Sequence, residues 1–157
     1  MPVKASQLRA WGTVAAQGLL FAAVAVTALV DAPPRLPTVL WLALVLILVG
    51  AAGVIATGTS LGASLTPSPV PNEAGLVGSG LYRWARHPMY SALVVICLGV
   101  AVGSGSAWCY AAVGVLCVFF AFKARLEERY LLTAYDGYRD YAAVTGRFVP
   151  KIGRLRS

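Results

Sequence analysis

The stretch MYSALVVICLGVAVGSGSAWCYAAVGVLCVFFAF, from Met89 to Phe122, contains no charged residue. A single crossing of the roughly 30 Å hydrocarbon core of a bilayer needs only about 20 apolar residues, so this stretch is too long for one span. Gly103-Ser104-Gly105-Ser106 predicts a turn near its middle. We therefore expect two membrane-spanning helices joined by a tight connection.

Two further uncharged runs precede this stretch, from Trp11 to Val30 and from Thr38 to Thr57. The first exceeds the usual length of the apolar region of a cleaved signal peptide, so we expect a retained helix. Hydrophobic residues make up 59% of the sequence and charged residues 12%, whereas soluble domains have about half and a quarter. These features predict an all-α polytopic membrane protein with about four transmembrane helices.

The charges are distributed unevenly along the predicted topology. With four spans, the thirteen Lys and Arg residues all fall on one side of the membrane except Arg35. The positive-inside rule then places that side, with both termini, in the cytoplasm. This bias explains the net charge of +7 without a nucleic-acid partner, and no nucleic-acid recognition motif accompanies it. The Ala-, Val- and Gly-rich composition favours a bacterial inner membrane protein.

We expect the cysteines and the first two helices to have structural roles. Cys97, Cys109 and Cys117 have no CxxC spacing and no histidine nearby, so we expect apolar packing and no bound metal. The region 11–57 is interpreted as a two-helix scaffold, in which Gly50-Ala51-Ala52-Gly53 allows close helix contact.

The chemistry is expected in the region 76–150 of a single membrane domain, 1–157. The residues from Lys123 to Leu132 are predicted to continue the fourth helix into the cytoplasm, followed by a short amphipathic helix. The ordered part is expected to end at Pro150, with 151–157 as a loose basic end.

Polar residues cluster before the third helix and after the fourth. Because those helices form a hairpin, both clusters are expected to meet at one membrane face. Arginine and histidine donors suit a carboxylate or phosphate, glutamates suit a cation, and aromatic faces suit a nucleobase or cation. S-adenosylmethionine has all these features, as do other amphiphilic ligands. The residues are Arg83, Arg86 and His87; Glu127 and Glu128; and Tyr82, Trp84, Tyr90, Tyr130 and Tyr135.

Each of these residues also has a structural interpretation. Tyrosine and tryptophan at helix ends are common interfacial anchors, and arginines beside a span determine topology. Glu127 and Glu128 could form ordinary ion pairs with Lys123 and Arg125 on the helix surface. The grouping of the residues, more than any one of them, favours a site.

The run Gly80-Leu81-Tyr82-Arg83-Trp84-Ala85-Arg86-His87-Pro88-Met89-Tyr90 resembles the G-x-Y-x-x-x-R-H-P-x-Y signature of the isoprenylcysteine carboxyl methyltransferase-like family. Members of this family also resemble phospholipid N-methyltransferases. The tail resembles the second block of the family: Glu127-Glu128, Leu131, Tyr135, Tyr138 and Tyr141, then Arg147-Phe148-Val149-Pro150. The segment from Tyr135 to Tyr138 is one residue shorter than the family pattern.

The resemblance implies a methyltransferase that takes S-adenosylmethionine from the cytosol and a lipophilic acceptor from the bilayer. The acceptor would be an isoprenoid- or lipid-like carboxylate, thiol or amine. An amine would have to lose a proton, for which Glu128 and His87 are candidate bases. By the same resemblance Arg125 and Glu128 lie closest to the acceptor as catalytic residues. The implied cofactor-binding residues are Tyr82, Arg86, His87, Pro88, Tyr90, Glu127 and Glu128.

Two other functions remain open from the sequence. Membrane sterol reductases resemble this family in their C-terminal region, which allows an NADPH-dependent reductase. A non-catalytic lipid-binding membrane subunit could keep the same fold.

Overall fold

The computed structural model describes residues 2–30, 33–66, 68 and 75–155, with side chains from Ala10 onward. Three of the thirteen basic residues, Lys4, Arg9 and Arg156, therefore have side chains outside the described part. Within the described residues the protein is helical and no strand is formed, which confirms the all-α prediction. The helices are α1 (Pro2–Ala28), α2 (Pro37–Leu61), α3 (Pro88–Ser104), α4 (Ala107–Ala134) and α5 (Tyr138–Val144), with short 3₁₀ helices at Gly62–Ser64 and Gly80–Arg83.

Three helical segments are long and apolar enough to cross a membrane: Ala10–Ala28, Pro37–Ser64 and Ala107–Ala134. The helix α3 is equally apolar but has only 17 residues, which corresponds to about 25 Å at 1.5 Å per residue. The prediction of a polytopic membrane protein is confirmed, with three full-length candidate spans and one shorter helix.

Small residues bring α2 and α3 into close contact. A Cβ atom added at Gly50 would lie 2.6 Å from Ile96 Cγ1 and 2.8 Å from the Ala92 carbonyl oxygen. Gly99 of α3 lies equally close to α2, because a Cβ added there would lie 2.9 Å from the Ala43 carbonyl oxygen. Since lipid chains are as apolar as the helices, such close packing is a main source of helix association in a membrane. The predicted role of the glycines around Gly50 is confirmed.

The turn between α3 and α4 forms at the predicted glycine-serine segment. Gly105 ends α3 in the left-handed conformation, with φ +60°, and its N–H donates to the Ala101 carbonyl oxygen at 2.7 Å. The side chain of Arg35 lies directly against Gly105 and donates from Nη2 to the Ser104 carbonyl oxygen at 3.3 Å. The only basic residue of the opposite loop therefore caps the C-terminal end of α3, where the helix dipole favours a positive charge.

The helix α1 packs against α4, and the buried core between them includes Val24, Leu116 and Phe120. Cys97 and Cys109 lie in the same core, as expected for apolar packing, whereas Cys117 is exposed on α4. The two helices of the region 11–57 thus have different partners: α1 packs against α4, and α2 packs against α3.

Candidate functional site

One cavity lies where the end of α2, the segment before α3, the last turns of α4 and the helix α5 come together. Its volume is about 150 Å³, and its mouth is open to solvent. We call it the site cavity. Five of its lining residues, which we call the polar wall, are Tyr82, Arg86, His87, Tyr90 and Glu127. Three further tyrosines also line it: Tyr135, Tyr138 and Tyr141.

Another part of the cavity lining, which we call the apolar wall, consists of aliphatic and methionine side chains. Leu61 and Leu65 come from the end of α2 and the segment after it, a region that sequence analysis assigned neither to the scaffold nor to the site. Leu76 and Val77 precede α3, while Met89 and Leu131 come from the hairpin helices. The lining therefore includes residues suited to a charged ligand and residues suited to a hydrocarbon group.

The predicted meeting of the two polar clusters is confirmed. Arg86, which precedes α3, bonds through Nε to Glu128 Oε1 of α4 at 2.9 Å. The neighbouring residues also meet, because His87 Nδ1 lies 3.4 Å from Glu127 Oε2. The hairpin therefore brings both ends to one face of the molecule.

The tail of the chain folds back and closes this region. An isolated parallel bridge pairs Ala85 with Gly146. The Arg86 N–H donates to the Gly146 carbonyl oxygen at 2.8 Å, and the His87 N–H donates to the Arg147 carbonyl oxygen at 2.9 Å. The backbone of the segment before α3 is thus held by the segment that follows α5.

Arg86 is buried, and all three of its guanidinium nitrogens have partners within the protein. Besides the bond from Nε to Glu128, Nη1 donates to the carbonyl oxygens of Ala142 at 2.9 Å and Thr145 at 2.6 Å. Nη2 donates to the Gly153 carbonyl oxygen at 2.8 Å. Its charge therefore reaches the cavity, but its nitrogens are occupied in holding the tail.

Glu128 is buried at the centre of an ionic network. Its two carboxylate oxygens accept from Arg147, with Nε to Oε1 at 3.0 Å and Nη2 to Oε2 at 2.7 Å. Oε1 also accepts from Arg86 and lies 3.4 Å from His87 Nε2. A buried carboxylate is stable only when it is paired and hydrogen-bonded in this way.

His87 stands between the two glutamates. Burial disfavours the protonated ring, but the hydrogen-bonding contacts and the negative charges of Glu127 and Glu128 outweigh it, so the pKa of His87 is raised above its usual value. Both contacts are long, at 3.4 Å, compared with about 2.7–3.2 Å for an ordinary N–H···O bond. Its Nε2 atom is buried without a hydrogen-bond partner among the described residues.

A stack of aromatic rings runs from the site into the bundle. The rings of His87 and Tyr90 are parallel at 5.5 Å between centroids, and those of Tyr90 and Phe120 are stacked at 4.5 Å. The Tyr90 hydroxyl donates to Glu127 Oε1. Tyr90 therefore links the charged wall of the cavity to the apolar core.

The sequence predicts that the fourth helix continues into the cytoplasm from Lys123. In the structure, this residue is still packed among other helices. Lys123 is buried, its ammonium group donates to Gln17 Oε1 of α1 at 2.7 Å, and it lies 5.4 Å from the centroid of the Tyr90 ring. Gln17 has no distinguishing signal in the sequence, because it is uncharged and lies within an uncharged run. A buried lysine with a polar partner on another helix is the arrangement expected of an ionisable residue within a bundle.

The other predicted site residues occupy different positions. Arg125 is exposed on α4 and does not line the site cavity, and neither does Glu128. Pro88 is buried as the first residue of α3, where its fixed φ suits a helix start. Trp84 is exposed and covered by the Arg83 guanidinium at 4.8 Å.

The tail contributes more than the sequence analysis predicted. The expectation of a loose end at 151–157 is wrong for the described part: Gly153 accepts from Arg86, and the Leu155 N–H donates to the Ala142 carbonyl oxygen at 3.0 Å. Tyr138 and Tyr141 were recognised only as part of a pattern, yet both line the cavity. Their spacing of three residues on a helix, which places two side chains on one face, was the available signal.

The charge states of these tyrosines follow from their environment. Burial raises the pKa of Tyr82 and of Tyr138, and it raises that of Tyr141 to about 12. All three hydroxyls are therefore protonated at neutral pH. No group of three or more His, Cys, Asp and Glu side chains that could hold a metal ion occurs in the part of the chain that the structure describes.

Comparison with known proteins identifies the family. Residues 38–137 match the family model for phospholipid methyltransferases, which is more than half of the 157 residues. The chain belongs to the phospholipid methyltransferase family. Membership implies a membrane methyltransferase and confirms the resemblance found in the sequence at this level. The match begins in α2 and ends just before α5, so α1 and α5 lie outside it.

The chain is also similar to the cobalt-zinc-cadmium resistance protein CzcN of Cupriavidus metallidurans. The two are 32% identical over 121 residues, which are 74% of this chain and 54% of that protein. The chain therefore spans about half the length of this relative.

Proposed function

We propose that this protein transfers a methyl group from S-adenosylmethionine to a lipophilic acceptor taken from the bilayer. The observation that supports this best is the site cavity, whose lining combines charged and aromatic side chains with apolar ones. A methyltransferase of membrane lipids needs both, because its cofactor is water-soluble and charged, whereas its acceptor carries a hydrocarbon chain.

The residues of the polar wall fit the proposed cofactor. When bound, the cofactor supplies a methyl group already activated on a sulfonium. Glu127 lines the cavity and balances positive charge there, while Tyr82 and Tyr90 offer aromatic faces for a cation or a nucleobase. Arg86 and His87 also line the cavity and favour the carboxylate of the cofactor.

We assign Arg86, Glu128 and Pro88 to positioning. Arg86 and Glu128 hold His87 and the tail in place through the network described above, and Pro88 begins the helix that carries Tyr90. The role of Arg125 near the acceptor stays a prediction. In this proposal the region 76–150 forms most of the cofactor site and α1 and α2 form its supporting wall.

The acceptor belongs to the class of isoprenoid- or lipid-like carboxylates, thiols and amines, held against the apolar wall. A carboxylate or thiolate needs no base. An amine would lose its proton to a group at the cavity. Of the two candidate bases, Glu128 is bonded to two arginines, and His87 accepts a proton only when its ring is neutral. The protein's own contribution is to align the two reactants and to exclude water.

Binding measurements on the purified protein in detergent test this function. We expect binding of S-adenosylmethionine and no binding of NADPH, together with transfer of labelled methyl groups to a lipid extract. Glu127→Gln removes the negative charge of the wall and should weaken S-adenosylmethionine binding about tenfold or more. Arg139→Gln, an exposed change on α5, is the control and should leave binding unchanged. Binding of NADPH alone would favour the reductase, and binding of neither ligand the non-catalytic subunit.

We also propose that the site cavity faces the cytoplasm of a bacterial cell, since that face contains nearly all the basic residues. Cysteines introduced at Pro34 and Arg139, both exposed, test the orientation. A membrane-impermeant thiol reagent added to intact spheroplasts should label the first and spare the second. Labelling of the second alone would reverse the proposed topology.

A further inference from the structure

Tyr138 presents a buried hydroxyl that the protein itself does not use. The side chain is 1% exposed and lines the site cavity. Its hydroxyl has no hydrogen-bond partner in the part of the chain that the structure describes. Leaving a buried hydroxyl unbonded is unfavourable, and such groups are rare in native structures.

Three other hydroxyls of the site cavity have hydrogen-bond partners within the protein. Tyr141 donates to the Tyr82 carbonyl oxygen at 2.5 Å, and Tyr90 donates to Glu127. Ser64 donates to the Gly75 carbonyl oxygen at 3.2 Å. These groups hold the walls of the cavity together, whereas the Tyr138 hydroxyl remains available for a ligand.

Among the described residues, the buried polar atoms without a hydrogen-bond partner occur in two places. The hydroxyl of Ser106 and the Nε atom of Arg35, whose side chain reaches Ser104, lie at the turn between α3 and α4. Nε2 of His87 and the hydroxyl of Tyr138 belong to residues of the site cavity, but Nε2 lies 3.4 Å from Glu128 Oε1. The Tyr138 hydroxyl is therefore the atom of the cavity that indicates a ligand with a complementary polar group.

The charges around Tyr138 indicate which ligand group this is. Glu127 already provides negative charge for a ligand cation, and a ligand carboxylate needs donors. Each of the three guanidinium nitrogens of Arg86 already donates to an oxygen of the protein, so we assign to Arg86 the positive charge and look for the donor elsewhere. Burial and the charge of Glu128 raise the pKa of Tyr138, against the opposing charge of Arg86, and the hydroxyl therefore remains a donor.

We propose that the Tyr138 hydroxyl donates a hydrogen bond to a carboxylate oxygen of the ligand in the site cavity. This rests on the proposed function, in which that carboxylate is the one at the methionyl end of S-adenosylmethionine. Tyr138 then acts in binding and selectivity, and it is the residue that distinguishes ligands with the carboxylate from ligands without it.

The test compares two ligands that differ only in this group, S-adenosylmethionine and decarboxylated S-adenosylmethionine. Tyr138→Phe removes one hydroxyl, and we expect the dissociation constant for S-adenosylmethionine to rise about tenfold. The dissociation constant for the decarboxylated compound should not change. Isothermal titration of the purified full-length protein measures both.

The ligand-free protein provides a second readout. Because the Tyr138 hydroxyl has no partner among the described residues, Tyr138→Phe should leave the unfolding midpoint of the ligand-free protein unchanged or slightly higher. Tyr141→Phe is the matched variant: it removes a bonded hydroxyl, so it should lower this midpoint while keeping the wild-type ratio of affinities for the two ligands.

Three outcomes would contradict the inference. Unchanged S-adenosylmethionine binding by Tyr138→Phe, in a wild type that binds it, overturns the inference and leaves the proposed function standing. An equal loss for both ligands overturns the assignment to the carboxylate. If the wild type binds neither ligand, the proposed function fails and the inference fails with it.

Discussion

The middle of the helix bundle and its site end hold their helices together in different ways. In the middle, α2 and α3 approach each other at Gly50 and Gly99, with no charge in the contact. At the site end, a buried arginine, a buried glutamate and a second arginine connect α3, α4 and the tail. The middle depends on close packing because lipid offers no hydrophobic driving force. The site end depends on ion pairs, which also fix the position of His87.

The difference predicts where the protein tolerates change. Close packing fails when a side chain becomes larger, and an ionic network fails when one member loses its charge. Between the two regions lies the pair formed by Lys123 and Gln17, which connects α1 to the helix that carries both glutamates.

The largest effect is expected at the centre of the network. Glu128→Gln leaves the buried Arg86 without its carboxylate, and breaking a buried pair costs about 3–5 kcal/mol. Unfolding of the detergent-solubilised protein measures the loss. Arg125→Gln, on the exposed side of the same helix, should change stability by less than about 0.5 kcal/mol. Equal losses for the two variants would show that the network does not hold the site end together.

Overpacking of the middle should have the next largest effect. A Cβ at Gly50 would contact the backbone of α3 at 2.8 Å, and inserted methyl groups in such places cost about 1–3 kcal/mol. Gly50→Ala should therefore lower the unfolding midpoint. Gly114→Ala is its matched control, since nothing lies within 4 Å of a Cβ there. If both variants behave alike, the close approach of α2 and α3 is not a source of stability.

A smaller effect is expected from the pair that joins α1 to α4. Lys123→Met and Gln17→Leu each remove one partner of a 2.7 Å hydrogen bond, and interhelical bonds of this kind contribute about 1 kcal/mol. The double variant should lose less stability than the sum of the single variants. Strict additivity would mean that the two side chains do not stabilise each other.

The smallest effect concerns pH. The pKa of His87 is raised in the folded protein because the two glutamates outweigh burial. Its protonation therefore stabilises the fold fully below about pH 6.5, and this contribution is lost as the pH rises through the folded-state pKa. The wild-type unfolding midpoint should fall over that range. His87→Gln removes the only histidine, so its midpoint should vary less, and an identical pH profile would contradict the role of the glutamates.

Much of this architecture was determined by the sequence alone. The uncharged runs, Gly105 at the turn and the small residues around Gly50 are local signals, and hydropathy and chain geometry are sufficient to interpret them. The convergence of the segment before α3 with the end of α4 also followed, because a hairpin returns to the face it left. The site cavity accordingly contains Tyr82, His87, Tyr90 and Glu127, as the two motifs predicted.

Only the tertiary structure decided how each polar group is used. Arg86 and Glu128 are separated by 42 residues, and the motifs do not reveal that they bond to each other and to the tail. Burial of Lys123 depends on Gln17, 106 residues away, and the unused hydroxyl of Tyr138 becomes apparent only when every nearby partner is known. Hydropathy is a property of neighbouring residues, whereas hydrogen-bond satisfaction is a property of the assembled fold.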